Sequence, residues 1–262
     1  QKVNFIPTQK TEVFEKRKEN FSGNLRLSYD DPILFFRGWK THLFDEWGRP
    51  YLDAYNNVPH VGHSHPRIRH VASEQLKKLN TNTRYLHPNQ SDLADSILSK
   101  LPENFTVCFF VNSGSEANEL AIRLAREHTK ARGMITTDHG YFGNTTGTID
   151  ISAYKFNKPG GVGQPDWLEL VEIPDDYRGT YKRGDPNCGE KFAGQIGQAI
   201  ENLKSKNQKL CGFIAETFPS VGGQIISPLG YLDKVYKQIR EQGGLCIADE
   251  VQTGLGRLGD YY

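Results

Sequence analysis

Residues 243–257 read GGLCIADEVQTGLGR, and this run carries the strongest indication of how the chain folds. The apolar residues 245–248 predict a buried strand, and the flanking glycines allow the chain to turn at each end. Asp249, Glu250 and Gln252 follow directly, so the strand ends in two carboxylates and an amide. Ligands of open α/β sheets bind at this end of the strands. Taken alone, Asp249 is better explained as a residue that only caps a turn.

Composition limits the class of partner. The chain has 262 residues, with 32 basic and 31 acidic side chains and a net charge of +1. This balance provides no field that attracts nucleic acid or an anionic membrane, so small molecules are the expected partners. The sequence has no run long and apolar enough for a membrane span or a signal peptide, which predicts a cytoplasmic protein. Its 4 cysteines form no CxxC pair and are expected to be reduced.

The order of predicted elements indicates the fold class. Residues 33–54 predict a small antiparallel meander, and helices follow around residues 66–79 and 93–101. From residue 105 onward strands alternate with helices, which predicts a mostly parallel sheet with helices on both faces. The predicted strands of this part are residues 105–111, 133–137, 168–173, 210–215 and 245–248, and its helices include 115–128.

A second motif, NSGSEAN at residues 112–118, follows a predicted strand and begins a helix. The first turn of a helix leaves backbone N–H groups unpaired and carries a partial positive charge. Ser113 and Ser115 add hydroxyl groups, and Gly114 lets the backbone approach an anion closely. The motif therefore predicts a phosphate site, although a serine cap needs no ligand to explain it.

These motifs resemble those of the class III pyridoxal-phosphate aminotransferases, which share Asp-Glu-x-Gln-x-Gly-x-Gly-Arg and Ser-Gly-Ser-Glu-Ala-Asn. The resemblance extends through nearly the whole chain. It implies the fold type I architecture of pyridoxal-phosphate enzymes, with pyridoxal 5′-phosphate as the cofactor and a homodimer as the assembly. By the same resemblance, residues 1–55 form a segment of the small domain and residues 56–262 form an incomplete large cofactor-binding domain. The chain begins with Gln1 and ends at Tyr262 soon after its most informative motif, so we expect a fragment of a longer protein.

The resemblance also implies roles for individual residues. Asp249 pairs with the ring nitrogen of the cofactor, and Glu216, at the end of the preceding strand, contributes to substrate recognition. At roughly 4 Å and an effective dielectric constant of about 20, the Asp249 interaction amounts to about 4 kcal/mol, or about 3 pKa units, so Asp249→Asn is expected to remove most activity. The turn of Ser113, Gly114 and Ser115 holds the cofactor phosphate, Tyr141 stacks on the ring, and Gln252 reaches the ring hydroxyl.

Three departures accompany the resemblance. Phe142 and Asn144 differ from the common Tyr-His-Gly-Arg-Thr pattern, and Thr217 stands where many members have proline. The lysine that holds the cofactor as a Schiff base is expected beyond Tyr262, so we assign no nucleophile. For Tyr141 taken alone, a packed aromatic turn is an equally good interpretation.

Four further segments resemble the branch that contains ethanolamine-phosphate phospho-lyase and 5-phosphohydroxylysine phospho-lyase. They are residues 79–87, 151–156, 176–179, and 215–217 together with 222–226. This resemblance implies elimination of phosphate from a phosphorylated amino alcohol. Arg84 is a candidate for binding the substrate phosphate, because it lies in an asparagine-rich stretch and a guanidinium fits phosphate; a structural ion pair explains it at least as well. An amine or omega-amino acid transaminase and a non-catalytic module of the same fold are the alternatives.

A metal site is the competing interpretation of His60, His63 and His65, which lie close after Asp53. No established metal-binding framework surrounds these histidines. Gly-His-x-His-Pro is itself typical of class III enzymes, so no metal is expected.

Overall fold

The computed structural model describes residues 9–55 and 58–262, which divide into two compact units, Gln1–Pro88 and Asn89–Tyr262. We call them the N-terminal and the C-terminal unit. The predicted domain boundary after residue 55 differs from this division, and the assignment of residues 1–55 to a small domain stays a prediction. Residues 1–8 and 56–57, which belong to the two predicted domain segments, lie outside the described residues.

The N-terminal unit contains the predicted antiparallel meander, whose strands β1 (Phe35–Trp39), β2 (His42–Asp45) and β3 (Pro50–Leu52) pair in that order. Its turn between β2 and β3 is held by buried Asp45, whose Oδ1 accepts hydrogen bonds from the backbone N–H groups of Trp47 and Arg49, both at 2.9 Å. The elements of this unit are α1 (Lys10–Asn20), β1 (Phe35–Trp39), β2 (His42–Asp45), β3 (Pro50–Leu52) and α2 (Pro66–Lys78).

The C-terminal unit contains a four-stranded parallel sheet, in which β5 (Leu168–Val171), β4 (Gly133–Thr137), β6 (Leu210–Glu216) and β7 (Leu245–Asp249) pair in that order. A further helix, α3 (Pro88–Leu98), begins at the boundary between the units. The remaining elements are α4 (Gly114–Thr129), β4 (Gly133–Thr137), α5 (Thr146–Asp150), α6 (Ala153–Phe156), β5 (Leu168–Val171), α7 (Cys188–Ser205), β6 (Leu210–Glu216), α8 (Tyr231–Glu241) and β7 (Leu245–Asp249). No described helix is both long and apolar enough to cross a membrane.

Two hydrophobic cores lie on opposite faces of the parallel sheet. Successive side chains of a strand point to opposite faces, so Phe213 packs with α7 and α8, whereas its neighbour Ile214 packs with α4. Met134 and Ile135 divide between the two cores in the same way. This arrangement explains the continuous apolar runs of the strands and confirms the predicted parallel sheet with helices on both faces.

The strand predicted at residues 105–111 is wrong. These residues form no strand, and the side chains of Val107 and Phe109 are 68% and 62% exposed. A strand is held by a hydrogen-bonded ladder to a neighbour, and no described strand pairs with this segment. Apolar composition alone therefore misled the prediction. The sequence interpretation also missed the short helices α5 and α6, and most other predicted elements differ at their ends by a few residues.

The packing of α7 against the sheet yields a stability prediction. Leu203 is fully buried in the core shared by α7 and α8, so Leu203→Ala should lower the free energy of unfolding by about 2–5 kcal/mol. Lys204→Ala is the control, because Lys204 is exposed and forms only a surface ion pair with Glu201; its effect should stay below about 1 kcal/mol. Urea unfolding of both variants measures the difference, and equal losses would contradict the described packing.

Candidate active site

The site is built around the carboxyl ends of two neighbouring parallel strands. In the register of β6 and β7, Glu216 lies opposite Asp249, so the last residue of each strand places a carboxylate at the same edge of the sheet. Asp249 is buried, with 8% of its surface exposed. Parallel pairing thus brings together two acidic groups that are far apart in the sequence.

Both oxygens of the Asp249 carboxylate accept a hydrogen bond. The backbone N–H of Val251 donates to Oδ1 at 2.9 Å, and the side-chain amide of Asn118 donates to Oδ2 at 2.7 Å. Burial raises the pKa of Asp249 above its ordinary value, while these two hydrogen bonds oppose the rise by favouring the ionised form. The carboxylate is therefore fixed in orientation at the bottom of the site.

The first turn of α4 lies against the residues that follow β7. Ser113 caps the helix, and its Oγ accepts a hydrogen bond from the backbone N–H of Glu116 at 3.2 Å. A Cβ atom on Gly114 would lie 2.6 Å from the side chain of Val251, so only glycine permits this close approach. The predicted phosphate turn is thereby placed next to Asp249.

Tyr141 lies in the turn after β4 and is connected to both parts of the site. Its backbone N–H donates to Glu216 at 3.4 Å, and its hydroxyl accepts a hydrogen bond from the side chain of Asn144 at 2.9 Å. The backbone N–H of Asn144 in turn donates to Ser115 Oγ at 3.1 Å. Asn144, a departure from the family pattern, thus links the aromatic ring to the start of α4.

Glu216 is held by the loop that follows its own strand. Its Oε2 accepts hydrogen bonds from the backbone N–H and the hydroxyl of Ser220, both at 3.0 Å. Burial raises the pKa of Glu216, the Ser220 hydrogen bonds oppose this rise, and the nearby charge of Asp249 adds to it. Thr217, which departs from the family pattern, directly follows β6. Its hydroxyl forms a hydrogen bond with that of Thr253 at 3.0 Å and so joins the turn after β6 to the turn after β7.

These groups surround a cavity of about 160 Å³. Most of the predicted cofactor residues line it, whereas Ser113 contributes as the helix cap. The lining also contains Asn118, Phe218 and Thr253, to which the sequence interpretation gave no role, although Asn118 is the last residue of the NSGSEAN motif. The residues that line the cavity are Gly114, Ser115, Asn118, Tyr141, Phe142, Gly143, Glu216, Phe218, Asp249, Val251, Gln252 and Thr253.

Arg84 belongs to the N-terminal unit and has an exposed side chain. Its backbone N–H and its Nε both donate to Asn82 Oδ1, at 3.1 and 3.2 Å. No described carboxylate forms an ion pair with it, so the alternative of a structural ion pair has no support among the described contacts. Its role toward a substrate stays a prediction.

The histidine-rich loop serves a structural purpose at His63. Its ring Nε2 lies 2.7 Å from Asp53 Oδ2, and its backbone exchanges two hydrogen bonds with Lys40. Within residues 9–55 and 58–262, no three side chains of the metal-binding types converge on one point.

The donor set of the cavity fits pyridoxal phosphate. A buried carboxylate, Asp249, suits a protonated ring nitrogen, and the first turn of α4 with Ser115 suits a phosphate group. Tyr141 adds an aromatic ring to the lining of the same cavity. The cavity therefore offers a carboxylate to an aromatic cation and a helix start to an anion.

The contact between the Tyr141 turn and α4 yields a prediction. Gly143 has φ +137°, and a Cβ atom there would lie 2.5 Å from Ser115 Oγ, so Gly143→Ala should displace the turn and weaken pyridoxal phosphate binding by about tenfold or more. Gly163→Ala is the matched control, because Gly163 also has positive φ but open space around it. Titration of each apoprotein with pyridoxal phosphate measures the affinities of the two variants. Equal affinities would show that the contact between residue 143 and Ser115 does not shape the site.

Comparison with known proteins identifies the family. Residues 29–262 match the family described as Aminotransferase class-III. A Drosophila melanogaster protein named alanine–glyoxylate aminotransferase 2-like is 44% identical over 257 residues, which cover 97% of this chain and 52% of that protein. Ethanolamine-phosphate phospho-lyase homolog 1 of Caenorhabditis elegans is 38% identical over 263 residues, covering 97% and 56%.

The solved structures agree with this result. A phospholyase from Arthrobacter, determined in complex with phosphoethanolamine, superposes with a TM-score of 0.85 at 34% identity over 95% of this chain and 58% of that one. The chain spans about half the length of the curated relatives it matches. The predicted fold and the predicted pyridoxal 5′-phosphate cofactor are confirmed together with the family. This chain belongs to the class III aminotransferases, a family of pyridoxal-phosphate enzymes.

Proposed function

We propose that the protein is a phospho-lyase that eliminates phosphate from a phosphorylated amino alcohol, either phosphoethanolamine or 5-phosphohydroxylysine. The products are an aldehyde, ammonia and inorganic phosphate. The observation that carries this proposal is the similarity to the phospholyase complexed with phosphoethanolamine, which extends over 95% of the chain at 34% identity. The cavity supports it, because its residues suit the cofactor that such a reaction requires.

The proposed reaction needs a sink for an electron pair. When bound, pyridoxal phosphate supplies this sink, provided that its ring nitrogen is protonated. Asp249 favours the protonated nitrogen by placing a negative charge beside it. In the substrate, a proton leaves the carbon that bears nitrogen, and the C–O bond to phosphate breaks at the adjacent carbon. Water then releases ammonia and leaves the aldehyde.

The other cavity residues bind and orient. The first turn of α4, with Ser113 as its cap and Ser115 at its start, is assigned to the cofactor phosphate. Tyr141 is assigned to the ring face and Gln252 to the ring hydroxyl. Glu216, which Ser220 holds in place, is assigned to substrate recognition.

A transaminase is the second candidate, favoured by the name of the 44% identical Drosophila relative. Such an enzyme uses the same cofactor site but passes nitrogen to a 2-oxo acid and needs no leaving group on the substrate. The difference between the two candidates therefore lies in whether phosphate is released. We also propose that the protein is a homodimer and is cytoplasmic. Sedimentation of the holoenzyme tests the homodimer.

The two reactions are separated by their products. The protein loaded with pyridoxal phosphate should release inorganic phosphate and ammonia from phosphoethanolamine or from 5-phosphohydroxylysine, with no 2-oxo acid present. Asp249→Asn is the control and should lower this rate about a hundredfold or more, since it removes the charge beside the ring nitrogen. Transfer of nitrogen to 2-oxoglutarate without phosphate release would place the protein among the transaminases.

Arg84 is assigned to the substrate phosphate, because a planar guanidinium binds phosphate through paired hydrogen bonds. Arg84→Ala should raise KM for the phosphorylated substrate about tenfold or more while changing kcat less. Arg240→Ala, which removes an exposed arginine of α8, is the control and should leave KM unchanged. An unaltered KM in Arg84→Ala would remove Arg84 from the site.

A further inference from the structure

The side chain of Asn118 connects three parts of the C-terminal unit. Asn118 lies just over one helical turn into α4 and is buried, with 6% of its surface exposed. Its Nδ2 donates to Asp249 Oδ2 at 2.7 Å and to the backbone carbonyl of Phe142 at 3.0 Å. One amide group therefore joins α4 to the end of β7 and to the turn that carries Tyr141.

The two contacts settle the orientation of the amide. A side-chain amide nitrogen has two hydrogens and no acceptor capacity, and both hydrogens here have an acceptor. Both acceptors, a carboxylate oxygen and a carbonyl oxygen, can pair only with the nitrogen end of the amide. Asn118 is consequently held as a donor toward Asp249, and it cannot rotate its oxygen toward the carboxylate without losing both contacts.

The surroundings of Asp249 otherwise disfavour its negative charge. Burial is the largest of these influences, and two carboxylates lie beside Asp249: Glu216, at the paired position of β6, and Glu250, the next residue of the chain. The hydroxyl of Tyr141, from the turn after β4, also lines the cavity but adds no carboxylate. The charge of Asp249 raises the pKa values of Glu216 and Glu250, so the carboxylates repel one another. Among the described contacts, the donors that act on Asp249 itself are Asn118 and the backbone of Val251.

We propose that Asn118 is a positioning residue for the cofactor: it keeps Asp249 ionised and fixes its rotation, so that the carboxylate faces the ring nitrogen. The hydrogen bond to Oδ2 occupies one lone pair of that oxygen and leaves others free for the ring N–H. This inference rests on the proposed cofactor site, but not on whether the reaction is a phosphate elimination or a transamination. The competing explanation is that Asn118 only packs α4 against the Phe142 turn.

Two substitutions at Asn118 distinguish the positioning role from a packing role. If Asn118 positions Asp249, the two variants should change their affinity for pyridoxal phosphate with pH in opposite directions. Asn118→Leu removes the hydrogen-bond donor but keeps a side chain of similar size. The pKa of Asp249 therefore rises, and its neutral form accumulates as pH falls. Asn118→Asp keeps the shape. Its carboxylate repels Asp249 at high pH, but once protonated at low pH it donates a hydrogen bond in place of the amide.

The measurement is the dissociation constant of pyridoxal phosphate for each apoprotein, divided by that of the wild type at the same pH. Between about pH 6 and about pH 8.5 the ratio for Asn118→Leu should fall several-fold and the ratio for Asn118→Asp should rise several-fold. Dividing by the wild type cancels the ionisation of the cofactor itself. Thermal melting of each apoprotein shows that the variants are folded.

Asn202→Asp is the matched control, because Asn202 Nδ2 also donates to a buried carboxylate, that of Glu169, at 3.0 Å, yet Asn202 does not line the cavity. Its ratio should stay near one at both pH values. Ratios that do not change with pH for both Asn118 variants would overturn the positioning role and leave packing. Failure of the wild type to bind pyridoxal phosphate would instead overturn the cofactor site, and with it this inference.

Discussion

The burial of a negatively charged group, the carboxylate of Asp249, is the constraint on which the site depends. Removing the Asp249 carboxylate from water costs free energy, and burial alone would favour its neutral form. Two N–H donors, from Asn118 and from the backbone of Val251, offset part of this cost and fix the carboxylate in one orientation. A protonated ring nitrogen placed against it would complete the compensation. Each oxygen of the buried acid accepts a hydrogen bond from the protein, and its negative charge suits a cationic heteroaromatic ring.

The parallel sheet makes this arrangement possible. Asn118 and Asp249 are 131 residues apart in the sequence, yet α4 and the end of β7 meet at the same edge. Parallel strands end at the same edge of a sheet, so the register of β6 and β7 makes Glu216 and Asp249 neighbours there. The two hydrophobic cores hold the strands that set this register. The chemistry of the site is thus positioned by packing on both faces of the sheet.

The sequence predicted those features that depend on local patterns. Continuous apolar runs identified β4, β6 and β7, and the residues that follow them supplied Tyr141, Glu216 and Asp249 as candidates. Two features could not be found in this way. The role of Asn118 depends on which distant acceptors it meets, and the NSGSEAN motif showed only that it belongs to a helix. Residues 105–111 look like a strand, but strand formation requires a partner, which local composition does not reveal.

We propose that Asp249 holds the ring nitrogen of the cofactor in its protonated form. Nitrogen-15 NMR of the holoenzyme, with pyridoxal phosphate labelled at the ring nitrogen, reports this protonation state directly. We expect a protonated nitrogen in the wild type at neutral pH and an unprotonated nitrogen in Asp249→Asn, where the neutral amide no longer favours the cation. The same chemical shift in both proteins would show that Asp249 does not set the protonation state of the ring nitrogen and would leave it as a structural residue at the end of β7.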